Sequence, residues 1–454
     1  MRPRRPTRPA LLVLPIVVAA VVLATFVRYG VDPGATPPSS VALPGELPPH
    51  PGDGPWNGVA WQPVADPFPA GDPVPNRVDG LATGAGLIVG WGRVATPGRN
   101  QFNDMGAVFV SSDGLRWRSV ALDDGVAGPD TSEPRGVGIG PLGLLAFGGV
   151  CCTEEERAIW SSADGSAWTR LPLAGELDLR ASSFMRVVGT PTGWVAVGGS
   201  GAQAAIWHSA DGAAWEAVDP VAAGLGRGQV SDVARTDDGT LIAVGTIDDA
   251  AGTHDGGVWL SGDGVEWRRV AAAEPSLTGP DETELWRVVP FRDGIFVVGN
   301  HGSHEDRVRC ENLLGALASL DDAAPATGLT CGWGREHHWL SGDAATWHRL
   351  PPLDPLPGQP PAPGIRPIEF RLLVAAGPGV VNLGEDSQPP EGDSGLWVSP
   401  DGSAWRPVAA VGGQGPNAGA SAFAVIGASL IAVGDGGQAA AWRPVFWTGR
   451  VIQP

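Results

Sequence analysis

From Trp56 onward, apolar residues fall in short strand-length runs separated by turn residues, and the runs repeat. One kind of run ends in glycine and occurs seven times: Leu87–Gly90, Leu144–Gly148, Val195–Gly198, Leu241–Gly245, Ile295–Gly299, Val380–Gly384 and Leu430–Gly434. Ahead of each lies an alternating stretch such as Val230-Ser231-Asp232-Val233-Ala234-Arg235, followed by a turn such as Asp238-Gly239. Behind each comes a third run, carrying Trp160, Trp207, Trp259, Trp339 or Trp397, with Phe109 in the first unit. That run leads into a Ser-x-Asp-Gly-x-x-Trp frame at Ser111–Trp117, Ser162–Trp168, Ser209–Trp215, Ser261–Trp267, Ser341–Trp347 and Ser399–Trp405, with Ala344 replacing the glycine in the fifth. Alternation of this period predicts strands. Asp-Gly between two such runs predicts a tight hairpin, because glycine accepts positive φ and aspartate tolerates it. The unit is therefore strand, turn, strand, loop, strand, turn, strand. It recurs about every 50 residues with one longer copy, which describes the blade of a β-propeller.

Seven glycine-ended runs face only six complete Asp-Gly-Trp hairpins. The seventh unit runs out at Phe446-Trp447-Thr448-Gly449, where Trp447 aligns with Trp397. Its missing strand lies at the other end of the chain. Asn57-Gly58-Val59-Ala60-Trp61-Gln62-Pro63-Val64 matches Asp401-Gly402-Ser403-Ala404-Trp405-Arg406-Pro407-Val408 position for position. The first strand is predicted to complete the last blade and close the ring, which removes the open edges a sheet would otherwise carry. The expected fold is all-β, a seven-bladed propeller of four-stranded blades over residues 56–450.

The N-terminus reads differently. Arg2, Arg4, Arg5 and Arg8 precede an uncharged apolar run, residues 10–27, which Arg28 ends. Residues 1–9 are expected to be a cytoplasmic basic region and 10–27 a single transmembrane helix. A signal peptide cleaved after Val22-Leu23-Ala24 is the competing reading. Residues 28–55, rich in proline and glycine, have the composition of a semi-extended linker. The expected location is the cell membrane with the propeller extracytoplasmic, or secretion if the leader is cleaved. The formal charge is −19, and with five arginines in the first 28 residues the remainder is more acidic still. That excludes nucleic acid as a partner and confines membrane contact to the N-terminal helix. Gly (67) and Pro (44) are abundant, but a 43% hydrophobic chain with 19 Trp has ample area to bury, so they are assigned to turns. Arginine-rich and without lysine, the composition looks like that of a GC-rich bacterial genome.

The Ser-x-Asp-Gly-x-x-Trp frame resembles the Asp-box, or BNR repeat, of sialidase-like β-propellers, one residue shorter than the usual form. The resemblance covers about residues 56–449 and suits a non-catalytic member. It implies a structural role for Asp113, Asp164, Asp211, Asp263, Asp343 and Asp401, whose carboxylates would satisfy backbone donors of the turn while the Trp packs between blades. Thirteen of the 19 Trp occupy the two repeated columns. The resemblance also raises a catalytic expectation, since sialidases use a Tyr nucleophile with a Glu and three arginines that clamp the substrate. The single Tyr is Tyr29, beside the membrane segment, and Ile365-Arg366-Pro367 is the nearest approach to the family's Phe-Arg-Ile-Pro context. The sialidase mechanism is absent, and so is a copper-radical oxidase of the kind that needs a Tyr.

Loops joining second to third strands, and blade to blade, carry the insertions, and both kinds emerge on one face of a propeller. Binding concentrates on long loops held by a rigid scaffold. Ligand-contacting residues are expected there: Glu154, Glu155, Glu156, Asp248 and Asp249 as carboxylates, with Trp91 and Trp333 as indoles free of the repeated frame. No cofactor is expected. A divalent metal is the alternative, with His254, Asp255, His301 and His304 as ligands, since histidine with carboxylate suits Zn²⁺. The largest insertion holds Cys310 and Cys331, expected to form a disulfide in an exported chain. Cys151 and Cys152 are adjacent and form either a strained vicinal bond or free thiols. No Walker loop and no Gly-x-Ser-x-Gly elbow occurs. The expected function is non-enzymatic binding of an extracytoplasmic protein or glycan through the loop-rich face, by a monomer. The alternative is an extracellular glycan hydrolase using loop carboxylates, with or without a metal.

Overall fold

The structure is a computed structural model. It describes residues 56–452 apart from 96–103, 123–130, 152–155, 173, 176–181, 250–251, 271–275, 279–280, 292–293, 306, 310–334, 351–371, 377–378, 386–393, 412–415, 417–419 and 436–443. No helix among the described residues is long and apolar enough to cross a membrane, and the segment 10–27 expected to do so lies outside them.

Seven sheets, each antiparallel in its four main strands, make up the fold. Written from the innermost strand outward, blade 1 is Pro75–Gly84, Leu87–Val94, Met105–Ser111 and Arg118–Ala121, and blade 2 is Thr131–Gly140, Gly143–Cys151, Glu156–Ser162 and Thr169–Arg170. Blade 3 is Ser182–Thr190, Gly193–Ser200, Gln203–Ser209 and Ala214–Ala217, and blade 4 is Gly228–Arg235, Leu241–Asp248, His254–Ser261 and Arg268–Arg269. Blade 5 is Asp281–Phe291, Gly294–Ser303, Arg335–Ser341 and His348–Arg349, and blade 6 is Leu372–Ala376, Gly379–Glu385, Ser394–Ser399 and Arg406–Val408. Blade 7 takes Ala420–Ile426, Ser429–Asp435 and Pro444–Ile452, and its outermost strand is Gly58–Pro63 from the other end of the chain. There Trp61 faces Gly449 and Pro63 faces Trp447. Each innermost strand lies against that of the next blade, and that of blade 7 against that of blade 1, so the ring closes. Two small features escaped the sequence reading. Ala174–Gly175 adds a short fifth strand, parallel to Ala214–Ala217, to blade 3. One helical turn, Pro220–Ala223, is capped by Asp219 and stopped by Gly224 in the left-handed region.

Seven buried apolar clusters coincide with the seven interfaces between blades. The two repeated Trp columns of one blade pack on the blade before it. Trp160 and Trp168 of blade 2 share a cluster with Val89 and Val108 of blade 1, and Trp259 and Trp267 of blade 4 with Val195 and Ile206 of blade 3. At the closure, Trp61 and Trp447 of blade 7 pack with Val381 and Leu396 of blade 6, while Trp117 of blade 1 meets Phe446 of blade 7 with ring centres 5.0 Å apart. At about 25 cal/mol per Å² and roughly 200 Å² per indole, each such Trp supplies about 5 kcal/mol of gross burial, an upper figure.

The Ser-x-Asp-Gly-x-x-Trp turns are self-contained hydrogen-bonded units. In blade 3, Gly212 N–H donates to Ser209 Oγ at 2.8 Å, and the N–H groups of Ala213 and Ala214 donate to Asp211 Oδ1 at 2.8 and 2.9 Å. Trp215 Nε1 then donates back to the Gly212 carbonyl at 2.8 Å. The same pattern recurs around Asp113 and Asp263. Gly212 sits at φ 80°, and a Cβ there would lie 2.4 Å from Leu145 of the preceding blade. Glycine thus lets the turn adopt its shape and press against its neighbour. Ala344 holds the equivalent place at φ 57°, so blade 5 carries the methyl in the left-handed region.

Candidate functional site

The strands nearest the axis do not alternate cleanly. Register slips by one residue between Val78 and Gly80, Pro134 and Gly136, Phe184 and Arg186, Val230 and Asp232, Leu285 and Arg287, and Ala420 and Ala422. The extra residues of these bulges, outside the strand register, are Asp79, Arg135, Met185, Ser231, Trp286 and Ser421. A bulge bends its strand and re-aims side chains. Here it pushes a backbone carbonyl of the inner strand against the second strand, where a glycine stands each time. A Cβ on Gly198 would lie 1.8 Å from the Ser183 carbonyl oxygen, and one on Gly245 2.1 Å from that of Gln229. This close approach accounts for the glycine that ends the second run in blades 2–5. In blade 1 the glycine so placed is Gly92, two residues beyond Gly90.

Bulging brings two groups of polar residues to blades 3–5. The first surrounds a cavity of about 410 Å³ lined by Gln229, Ser231, Asp248, His254, Glu284 and Trp286 among others. His254 opens the third strand of blade 4 and Asp248 ends the second, so they pair across the hairpin. His254 Nδ1 lies 3.1 Å from Glu284 Oε1 of blade 5, and its Nε2 is 3.8 Å from Asp248 Oδ1. The bond to Glu284 raises the His254 pKa above its ordinary value, and burial only partly opposes this. Trp286 is the half-buried bulge residue of blade 5, packed against the apolar cluster it shares with blade 6.

Next to this cavity, Glu282 is fully buried and accepts hydrogen bonds from Arg307 and His304. Burial alone would push its pKa up, but those two donors outweigh it and hold the carboxyl below its usual range. Arg307 also donates to the Gly252 carbonyl at 3.1 Å, which pins the start of the blade 5 insertion to the neighbouring blade 4 loop.

The second group lies on the channel wall. A cavity of about 630 Å³ is bounded by the innermost strands of blades 1–5, with Arg186, Asp232 and Arg287 directly after their bulges. Asp232 is buried; its Oδ1 is 2.8 Å from Arg186 Nε and its Oδ2 accepts from Val288 N–H at 3.0 Å.

Several expected site residues are placed differently. Trp91 is no loop residue: it lies in the second strand of blade 1, 7% exposed, within the interface of blades 1 and 2 and flat enough against Gly80 that a Cβ there would be 2.1 Å from its ring. This removes it from the ligand-contacting set. Asp249 shapes its own loop, accepting from Thr253 N–H at 2.8 Å. The expected metal ligands are dispersed. His254 is held by Glu284, His304 by Glu282, and His301 by Thr283 Oγ1 at 2.9 Å, while Asp255 acts on Arg269. Burial lowers the His301 pKa. No three His, Cys, Asp or Glu side chains among the described residues gather as a metal site. Glu154, Glu155, Cys152, Cys310, Cys331 and Trp333, and the side chains of Cys151 and Glu156, lie outside the described residues. Of the expected carboxylates and histidines among the described residues, Asp248 and His254 meet in one cavity. Sequence reasoning missed Glu282, Glu284, Trp286, Arg186, Asp232 and Arg287. The repeated glycine was the available signal, since it marks the bulge beside each of the last four.

No protein-family model matches the chain, and no curated protein matches it. Among solved structures it is similar to the β-propeller domain of the Trilobed protease from Pyrococcus furiosus, with 9% identity, 88% of this chain and 97% of that one covered, and a TM-score of 0.43. A protein of unknown function from Dyadobacter fermentans gives 12% identity, 88% and 100% coverage and a TM-score of 0.36. A family GH43 β-1,3-galactosidase gives 10% identity, 49% and 84% coverage and a TM-score of 0.31. Likenesses of this size carry no argument about function. The seven-bladed ring rests on its own strand pairing, and the resemblance to sialidase-like propellers stands as propeller architecture alone.

Proposed function

We propose that this chain is a non-enzymatic, extracytoplasmic binding propeller that takes a glycan on its loop-rich face, in the cavity between Asp248, His254, Glu284 and Trp286. The observation that carries the reading is Trp286, a bulge residue that lines this cavity together with Asp248, His254 and Glu284. An aromatic face with carboxylate and amide acceptors around it suits a sugar ring, which offers apolar C–H faces and hydroxyl edges. The cavity volume falls within the range of small-ligand sites.

The rival hydrolase reading needs one carboxyl kept protonated as acid and another free as base or nucleophile. Here Asp248 and Glu284 share one partner, His254, at 3.8 and 3.1 Å, rather than standing in two contrasting environments.

A glycan array probed with wild type and Trp286→Ala tests the proposal, followed by calorimetry on any hit. Binding by wild type that weakens about tenfold in the variant is expected, since an aromatic contact contributes on the order of 1 kcal/mol beyond its area. An array with no hit, or a hit that the wild type hydrolyses, overturns it.

A further inference from the structure

Two guanidinium groups on the channel wall share one carboxylate, and the sharing is unequal. Both oxygens of Asp232 are engaged, one by Arg186 Nε at 2.8 Å and the other by the backbone N–H of Val288 at 3.0 Å. Arg287 comes no closer than 3.7 Å by its Nε, which has no hydrogen-bond acceptor, and otherwise gives one long bond of 3.3 Å to the Leu373 carbonyl. Its charge is thus under-compensated where the surroundings penalise it. Burial, and then the like charge of Arg186, push the Arg287 pKa down to about 10 although Asp232 pulls the other way. A third of its side chain still touches the channel, inside a cavity of about 630 Å³. Arg235 and Asp237, the other charged groups on that cavity, balance one another, so the wall keeps one positive charge in an otherwise acidic protein. The remaining lining is mainly Val, Ile, Ala, Gly and Thr, which offers a ligand no other strong partner.

We propose that Arg287, with Arg186 beside it, is an oxyanion-binding site in the central channel, for a carboxylate or phosphate group carried on a small molecule or a chain end. A planar guanidinium matches either group with two parallel N–H···O bonds. The oxyanion supplies the acceptors that Asp232 leaves out, and the channel has room for the small apolar body that bears it. The site is separate from the Trp286 cavity and stands whether or not that cavity takes a glycan.

Calorimetric titration of the full chain with inorganic phosphate, sulfate and acetate at fixed ionic strength is the test, on wild type, Arg287→Gln, Arg287→Lys and Trp286→Ala. We expect saturable one-to-one binding of at least one anion. Arg287→Gln should weaken it about tenfold to a hundredfold, since a hydrogen bond to a charged group is worth ~1.5–3 kcal/mol. Arg287→Lys should retain part of the affinity and Trp286→Ala all of it. Preference for phosphate or for acetate identifies the group that the natural ligand carries. Should the glutamine variant fail to fold, phenylglyoxal labelling of wild type read by peptide mass spectrometry replaces it, with the anion expected to protect Arg287. No saturable binding of any of the three, binding unchanged in Arg287→Gln, or labelling that the anion leaves unaltered would each overturn the proposal and reduce the cluster to a staple between blades.

Discussion

The aspartates of the Ser-x-Asp-Gly-x-x-Trp turns owe their acidity to hydrogen bonds from backbone N–H groups and hydroxyls within the turn. Asp343 is brought to about 2, first by Thr346 N–H and Ala345 N–H, and the other five are lowered as well. A folded-state pKa below the unfolded value means stability that is complete above about pH 4 and drains away as pH falls through about 2. Thermal unfolding followed from pH 5 to pH 2 should show this loss, and Asp343→Asn should make the decline shallower. His254 has the opposite sign: its pKa is raised by Glu284, so its contribution is complete below about 6.5 and fades as pH climbs through the folded value. A histidine NMR titration should place His254 above the ordinary range, and Glu284→Gln should bring it down. These two cases also separate what a sequence displays from what it hides. The turn aspartate bonds to residues two and three positions ahead, so its partners are legible in the frame itself. His254 meets a partner 30 residues away across a blade boundary, and Arg186 reaches 46 residues to Asp232. Such pairs depend on how blades stack, and spacing along the chain does not encode it.

At the scale of the strand, alternation predicted where strands run but not where they slip. That each second run ends in glycine was visible, yet in blades 2–5 its cause is the bulge in the strand alongside. Gly198→Ala should therefore destabilise the protein by about 1–3 kcal/mol, the usual cost of overpacking, because its methyl meets a carbonyl that the bulge fixes in place. Chemical denaturation measures it, and a neutral result would mean that the bulge relaxes. Trp91 shows the opposite error. Lying outside the repeated columns, it looked available, but strand period 2 turns it into the interface of blades 1 and 2. Freedom from a repeat is not exposure. Trp286, equally free of the repeat, sits at a bulge and lines a cavity while packing on the apolar cluster between blades 5 and 6.

For the molecule as a whole, the seven-bladed count and its closure were readable because the unit repeats and its missing strand matched the other end of the chain. The joint is secured beyond the pairing of Gly58–Pro63 with Pro444–Ile452. Arg406 donates to the Trp56 carbonyl at 2.8 Å, and Val59 exchanges backbone bonds of 2.9 Å with Ala409 and Val411 of blade 6. Deleting residues 56–64 should remove Trp56, Val59 and Trp61 from the last cluster and expose the Pro444–Ile452 edge. Size-exclusion chromatography should then show association or an expanded monomer; a compact monomer melting like wild type would refute the role given to the joint. The same joint has a consequence in time. Trp56 is made early and its partner Arg406 emerges 350 residues later, so throughout synthesis the first strand waits without its sheet. Contacts of such long range are slow to form, and an unpaired strand is open to the wrong neighbour until they do. Arrival of the last strand is the event that commits the ring, so the rate of folding should be governed by the two ends of the chain rather than by any blade between them.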